Sequence, residues 1–171
     1  MKNPDNILLM STDRIARSLQ RMAHEINEKN KSDWPIVLLG INQRGLAVAR
    51  DLAHFLTPIL DSPVKVESLT LGEEGASRKK WDKSAYEKQS FIVIVDDVIF
   101  SGQTMFRALT TVVEELEPGE VYTAVLVDRG HRKYPVKAEF CGMVLPTKLD
   151  EHVAVEVKDG KVHEVRLTHE Q

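Results

Sequence analysis

FIVIVDDVIFSGQTMFRAL, residues 91 to 109, holds a strand, a turn and the start of a helix. Phe91 to Val95 form an unbroken apolar run. Such a run predicts a strand buried on both faces, as in a parallel sheet with helices on either side. Asp96 and Asp97 follow where that strand ends, which is where open α/β sheets hold their ligands. Ser101-Gly102-Gln103-Thr104 then opens an apolar-periodic helix. The free backbone N–H groups at a helix start can bind an anion. Gly102 suits a turn in which a side chain would block close approach of the backbone. Carboxylates for hydroxyl groups, beside a cradle for phosphate, predict a sugar-phosphate site. The alternative reading of the same residues is a buried strand, an Asp-rich turn and a capped helix with no ligand.

The flanking segments place this stretch inside an α/β fold. Residues 11 to 30 predict a helix, capped by Ser11 or Thr12, with Ile15, Leu19, Met22, Ala23 and Ile26 at helical spacing. Pro35 to Gly40 is a short buried strand. A turn with Asn42, Gln43 and Arg44 follows, then a helix from Gly45 to Leu56 that Pro58 ends. Val64 to Leu71, Val121 to Val127 and Ala138 to Leu145 predict further strands. Val153, Val155 and Val157 alternate, Asp159-Gly160 makes a two-residue hairpin turn, and a last strand runs from Lys161 to Leu167. Strands alternating with helices predict a mainly parallel sheet flanked by helices, with the antiparallel C-terminal hairpin at one edge. Residues 72 to 90, GEEGASRKKWDKSAYEKQS, lack an apolar period and are dense in charge. They read as a mobile loop within a single domain spanning 1–171, since a loop this long is functional or disordered.

Bulk properties narrow the function. The 171 residues, 42% of them hydrophobic, are enough for one domain with a sizeable core. A net charge of −3 argues against a surface uniformly built to coat nucleic acid or an anionic membrane. The single cysteine, Cys141, excludes an intrachain disulfide and a cysteine metal cluster. Its apolar-leaning neighbours predict a buried, inert thiol. No basic region followed by a long apolar stretch opens the chain, and no segment approaches membrane-spanning length, so a soluble cytoplasmic protein is expected.

A second strand–turn–helix junction is Ile41-Asn42-Gln43-Arg44-Gly45, with Gly40 before it. It has neither the Gly-Lys-Ser/Thr ending of a Walker loop nor the glycine spacing of a dinucleotide fingerprint. Its amides could bind a second anion. A plain turn with a surface Arg44 explains it equally well.

The run Ile92 to Thr104 resembles the signature of type I phosphoribosyltransferases, enzymes that bind 5-phosphoribosyl-1-pyrophosphate (PRPP). The resemblance implies that Asp96 and Asp97 contact the ribose hydroxyls. It implies that Phe100, Ser101, Gly102, Gln103 and Thr104 wrap the 5′-phosphate. Ile41, Asn42, Gln43, Arg44 and Gly45 would bind the pyrophosphate, with Arg44 stabilising it as it leaves. Gln20 to Ile26, Gly40 to Gly45, Val95 to Val98 and Ala124 to Arg132 occur together in this order, with Leu145-Pro146-Thr147 and a valine-rich C-terminal strand after them. That set is similar to the pyrimidine operon attenuator family, which doubles as a uracil phosphoribosyltransferase.

The family implies attack of uracil N1 on C1′ of PRPP, giving UMP and pyrophosphate, with Mg²⁺ bridging substrate oxygens rather than bound directly by the protein. Asp128 and Arg129 would lie on the base side of the site, or form a structural ion pair. RNA contacts are implied at Arg21, His24, Lys29, His131, Arg132 and Lys137, where a solvated basic face is the alternative. A regulator that binds RNA and senses UMP or UTP, with weak catalysis, is therefore the second function class. A homodimer or higher homo-oligomer is implied as well. The resemblance departs at Thr70-Leu71-Gly72-Glu73-Glu74-Gly75, where the family has an aromatic residue and an arginine. Arg78, Lys79 or Lys80 could bring a cation back, or form a solvated charge run.

Overall fold

The computed structural model describes residues 6–71 and 89–169. In chain order the elements are β1 (Asn6–Met10), α1 (Thr12–Lys29), β2 (Ile36–Ile41), α2 (Asn42–Leu60), β3 (Lys65–Leu69), β4 (Phe91–Ile99), α3 (Gln103–Leu116), β5 (Glu120–Asp128), β6 (Phe140–Val144), β7 (Glu151–Lys158) and β8 (Lys161–His169). Five strands form a parallel sheet in the order β3-β2-β4-β5-β6. The expected loop at 72–90 lies outside the described residues except for Gln89 and Ser90, and so do Arg78, Lys79 and Lys80.

The unbroken apolar run of β4 follows from its central position. Phe91, Val93 and Val95 point to one face of the sheet, among residues of α1, α2 and the small sheet described below. Ile92 and Ile94 point to the other face, against Met105, Ala108 and Val112 of α3. All five are fully buried, and burying each such side chain contributes about 1.5–3 kcal/mol. β2 alternates in the same way, with Ile36 and Leu38 on the first face and Val37, Leu39 and Ile41 on the second. The carboxyl ends of two neighbouring parallel strands are thereby held in register, with Gly40 opposite Val95.

Two expectations need correction. First, α2 begins at Asn42 and continues through Pro58 to Leu60. Pro58 sits in the last turn, where its missing N–H removes one hydrogen bond close to the helix end. The helix stops at Asp61, in the left-handed region at φ 52°. Second, the C-terminal hairpin is not an edge of the parallel sheet. β7 and β8 join β1, a strand not anticipated from the sequence, in a separate antiparallel sheet ordered β1-β8-β7. Asp159 and Gly160 turn the hairpin with φ of 52° and 74°, the left-handed pair that a two-residue turn needs.

One face of this small sheet is apolar. Val153, Val155, Val162 and Val165 are buried in the core beside α1 and α2. Two hydrogen bonds fasten it there: Thr12 Oγ1 donates to the His163 carbonyl at 2.7 Å, and the Val162 amide donates to Asp51 Oδ2 at 3.0 Å. The opposite face is polar and turns toward the ends of β2 and β4. No described helix is long and apolar enough to cross a membrane.

Candidate active site

A cleft of about 1190 Å³ opens at the carboxyl ends of β2 and β4. Its floor is Asp96, Asp97 and Val98; one wall is Ile41, Asn42, Gln43 and Arg44, with Thr104 also lining it. The small sheet roofs it with Asn6, Ala154, Glu156, Arg166 and Thr168.

The junction between β2 and α2 is tightly built. A Cβ on Gly40 would stand 2.4 Å from Leu46 Cα, and one on Gly45 would stand 2.6 Å from the Val95 carbonyl oxygen. The start of α2 therefore rests directly on the ends of β2 and β4. Asn42 takes φ 54°, a left-handed conformation that asparagine tolerates better than most residues. Its Oδ1 accepts the Leu71 amide at 3.2 Å. No side chain caps the helix, so its leading amides stay available beside the exposed Asn42, Gln43 and Arg44.

Each floor carboxylate folds back on its own strand. Asp96 Oδ1 accepts the Asp97 amide, and Asp97 Oδ1 accepts the Val98 amide, both at 2.8 Å. Burial, then the neighbouring Asp97 charge and a hydrogen bond to its carboxyl, push the Asp96 carboxyl well above the ordinary value of 3.8. Between that ordinary value and the raised native one, the folded chain holds a proton that the unfolded chain has lost. Stability therefore falls as pH rises through this window. Asp96→Asn keeps the shape without the charge, so its stability should be flatter over the same range and higher at alkaline pH by on the order of 1 kcal/mol. Melting temperatures from about pH 4 to about pH 8 test this. Asp51, also raised by burial, supplies a slope common to both proteins. Parallel curves for the two would refute the assignment.

The turn ahead of α3 is held from behind. Gly102, at φ 84°, caps the helix without a side-chain bond, and Ser101 Oγ accepts the Gln103 amide at 3.2 Å. The Ser101 carbonyl accepts the amides of Lys133 and Tyr134. Arg132 Nη1 donates to the Phe100 carbonyl at 3.0 Å. Of Phe100, Ser101, Gly102, Gln103 and Thr104, only Thr104 lines the cleft itself.

Asp128 and Arg129 are not among the residues that line the cleft. Asp128 is bound by Arg132, at 2.9 and 2.8 Å. Arg129 is buried, stacked 4.1 Å over the Phe100 ring, with Nε donating to Thr147 Oγ1 at 2.9 Å and a further bond to the Glu151 carbonyl. Arginine suits this place because its planar group stacks and donates at once. The segment from Asp128 to Val136 is thus a platform beneath Phe100 and Ser101.

The basic residues fall into two groups. His131 meets the edge of Phe100 and the Thr147 carbonyl, and Arg132 is engaged by Asp128, Phe100 and Val136. Both are built into the platform. Arg21 and Lys29 lie on α1, and Lys137 lies in the segment just ahead of β6. Arg21 pairs with Glu25 and donates to the Cys141 and Gly142 carbonyls, and Lys29 and Lys137 both reach Glu139. His24 is exposed on the same helix. Cys141 is half-buried, and burial pushes its thiol up from the usual value.

Comparison with known proteins agrees with this geometry. The phosphoribosyl transferase domain family matches residues 9–159. The bifunctional protein PyrR of Clostridium novyi is 37% identical over 161 residues, covering 89% of this chain and 90% of the relative. That of Thermus aquaticus is 36% identical over 160 residues, covering 88% of each. The chain belongs to the phosphoribosyltransferase family, in its PyrR branch. Among solved structures, the hypoxanthine phosphoribosyltransferase of Trypanosoma cruzi superposes with a TM-score of 0.76 at 16% identity, over 96% of this chain and 97% of that one. A hypoxanthine-guanine phosphoribosyltransferase of Bacillus anthracis gives 0.73 at 19%, over 98% and 99%. These two share the type I phosphoribosyltransferase fold with this chain.

The roof residues Asn6, Glu156, Arg166 and Thr168 were not anticipated from the sequence. The alternation of His152, Ala154 and Glu156 with buried valines marks one polar face in β7. Nothing local says which way that face turns.

Proposed function

We propose that the chain transfers the phosphoribosyl group of PRPP to uracil, giving UMP and pyrophosphate. The observation that carries this reading is one cleft shared by the paired carboxylates of β4 and the uncapped start of α2. In this reading Asp96 and Asp97 hold the ribose hydroxyls. The amides at Asn42 and Gln43, with Arg44, hold the pyrophosphate. Thr104 and the turn behind it hold the 5′-phosphate. The C1′–oxygen bond to pyrophosphate breaks as the bond to uracil N1 forms, and the N1 proton is released to solvent or to the departing pyrophosphate. Positive charge develops on the sugar, so positioning and charge stabilisation matter more than a strong base. Uracil is favoured as the base because the relatives named above are PyrR proteins.

The donor set fits Mg²⁺. The described lining offers carboxylates and no thiol or imidazole, and Mg²⁺ takes hard oxygen ligands while keeping several waters. Asp96 and Asp97 are the residues that would hold it, and it would offset negative charge on the leaving group. The same reading assigns the chain to the cytoplasm and to a homodimer or higher oligomer.

Calorimetry of PRPP with and without Mg²⁺, followed by a uracil turnover assay, tests the proposal. Mg²⁺-dependent binding and UMP formation are expected. Turnover of other bases but not of uracil would overturn the base assignment alone. A protein that binds no PRPP would overturn the whole reading. RNA binding is a second role, favoured by the basic residues on α1 and ahead of β6, where Lys137 is 81% exposed. Affinity for a pyrimidine-operon leader RNA should fall steeply with salt. Its absence at low salt would leave the transferase alone.

A further inference from the structure

The charge balance of the cleft points to one residue of the roof. Its described lining carries three carboxyl groups, Asp96, Asp97 and Glu156. Against them stand two cations, Arg44 on the wall and Arg166 on β8. A substrate with a phosphate at one end and a pyrophosphate at the other brings several more negative charges. Every cation that reaches the cleft therefore matters.

Arg166 is held in a definite pose. Its Nε and Nη2 donate to Glu164 Oε2 at 3.0 and 2.8 Å, and Nη1 reaches Asn6 Oδ1 at 3.4 Å. A guanidinium has five N–H donors. Three are engaged by these contacts, which leaves two for a ligand. The strand pairing explains the anchoring. Arg166 lies opposite Leu8 on one side and Ala154 on the other. Neither neighbour competes for its charge. Glu164 is set directly across from Glu156, an arrangement of like charges that is unfavourable unless cations offset it. Arg166 supplies that offset on the Glu164 side, and Lys158, 3.9 Å from Glu156, on the other.

The wall that Arg166 shares the cleft with belongs mostly to one of the two anion sites. Four residues of the β2–α2 junction share the cleft with it, while the turn ahead of α3 contributes only Thr104. We propose that Arg166 is a roof clamp for the pyrophosphate end of the substrate, acting across the cleft from Arg44. This rests on the PRPP reading given above. A planar fork with two spare donors suits the paired oxygens of a phosphate group.

Titration calorimetry on the full chain with PRPP, Mg²⁺-pyrophosphate and UMP tests the clamp in three variants. Arg166→Gln should weaken PRPP and pyrophosphate about tenfold or more, as loss of hydrogen bonds to a charged group does. UMP, which has no pyrophosphate, should bind within about twofold of wild type. Arg166→Lys should recover part of the loss, since it keeps the charge without the fork. Glu164→Gln breaks the ion pair but keeps the cation, so PRPP should bind as well as before or better. If Glu164→Gln weakens PRPP as much as Arg166→Gln, the arginine only braces the roof and the proposal falls. Equal loss of UMP and PRPP in Arg166→Gln would also overturn it, as would unchanged PRPP binding in that variant. A wild-type protein that binds no PRPP would defeat the underlying reading instead.

Discussion

Asp97→Ala should lower kcat/KM for UMP formation by on the order of 10²-fold, while the protein still folds. The size follows from what the side chain can offer. A hydrogen bond to a charged group contributes about 1.5–3 kcal/mol, and each 1.4 kcal/mol lost from the transition state is about tenfold in rate. Asp97 also raises its neighbour: its charge is one cause of the upward shift of Asp96. Removing it lets Asp96 ionise more readily, so one substitution alters both floor groups. The backbone survives because the strand is paired on both sides of the position, Asp96 with Val125 and Val98 with Val127. The local loss is the acceptor for the Val98 amide. Steady-state kinetics with PRPP and uracil, beside a thermal melt, separates the two effects. Activity within about threefold of wild type would remove Asp97 from the site.

Gly40→Ala should be the most destabilising single methyl that can be added near the cleft. Its new carbon would lie 2.4 Å from Leu46 Cα, 2.6 Å from Leu46 N and 2.8 Å from the Gly45 carbonyl carbon. All three are backbone atoms, so no side chain can swing aside. Either β2 or the first turn of α2 must move, and overpacking of this kind costs about 1–3 kcal/mol, occasionally more. The upper end is expected here. Because α2 also carries Asn42, Gln43 and Arg44, PRPP affinity should fall together with stability. Urea unfolding and PRPP titration on one preparation would register both. A variant that unfolds at the wild-type midpoint would mean that the two elements are less tightly joined than these distances require.

The parallel sheet and the floor of the cleft were legible because they rest on local signals. The apolar run determines the strand and its burial, but the strand continues through Asp96 and Asp97 to Ile99, so the acids lie within its last half and not past its end. The extent of α2 was not legible. A proline is a strong stop signal on average, but near a helix end it removes one bond and little else. β1 escaped notice for a different reason. Asn6 to Met10 is a short segment, and its partner, β8, stands more than 150 positions away. Its pairing is a tertiary fact. The partners of Asp128 and Arg129 were not legible in their adjacency. In a strand-to-loop exit the two side chains diverge, so Asp128 meets Arg132 and Arg129 meets an aromatic ring. The family resemblance supplied the proposed pyrophosphate role of Ile41 to Gly45, which the residues alone left open.

β8 is the middle strand of the roof, and β1 covers one of its two bonding edges. Trimming the chain back past Met10 would uncover that edge. A bare row of amides and carbonyls invites a strand from another molecule. Shortened versions of this protein should therefore be prone to intermolecular strand exchange, and engineered forms are best begun ahead of Asn6.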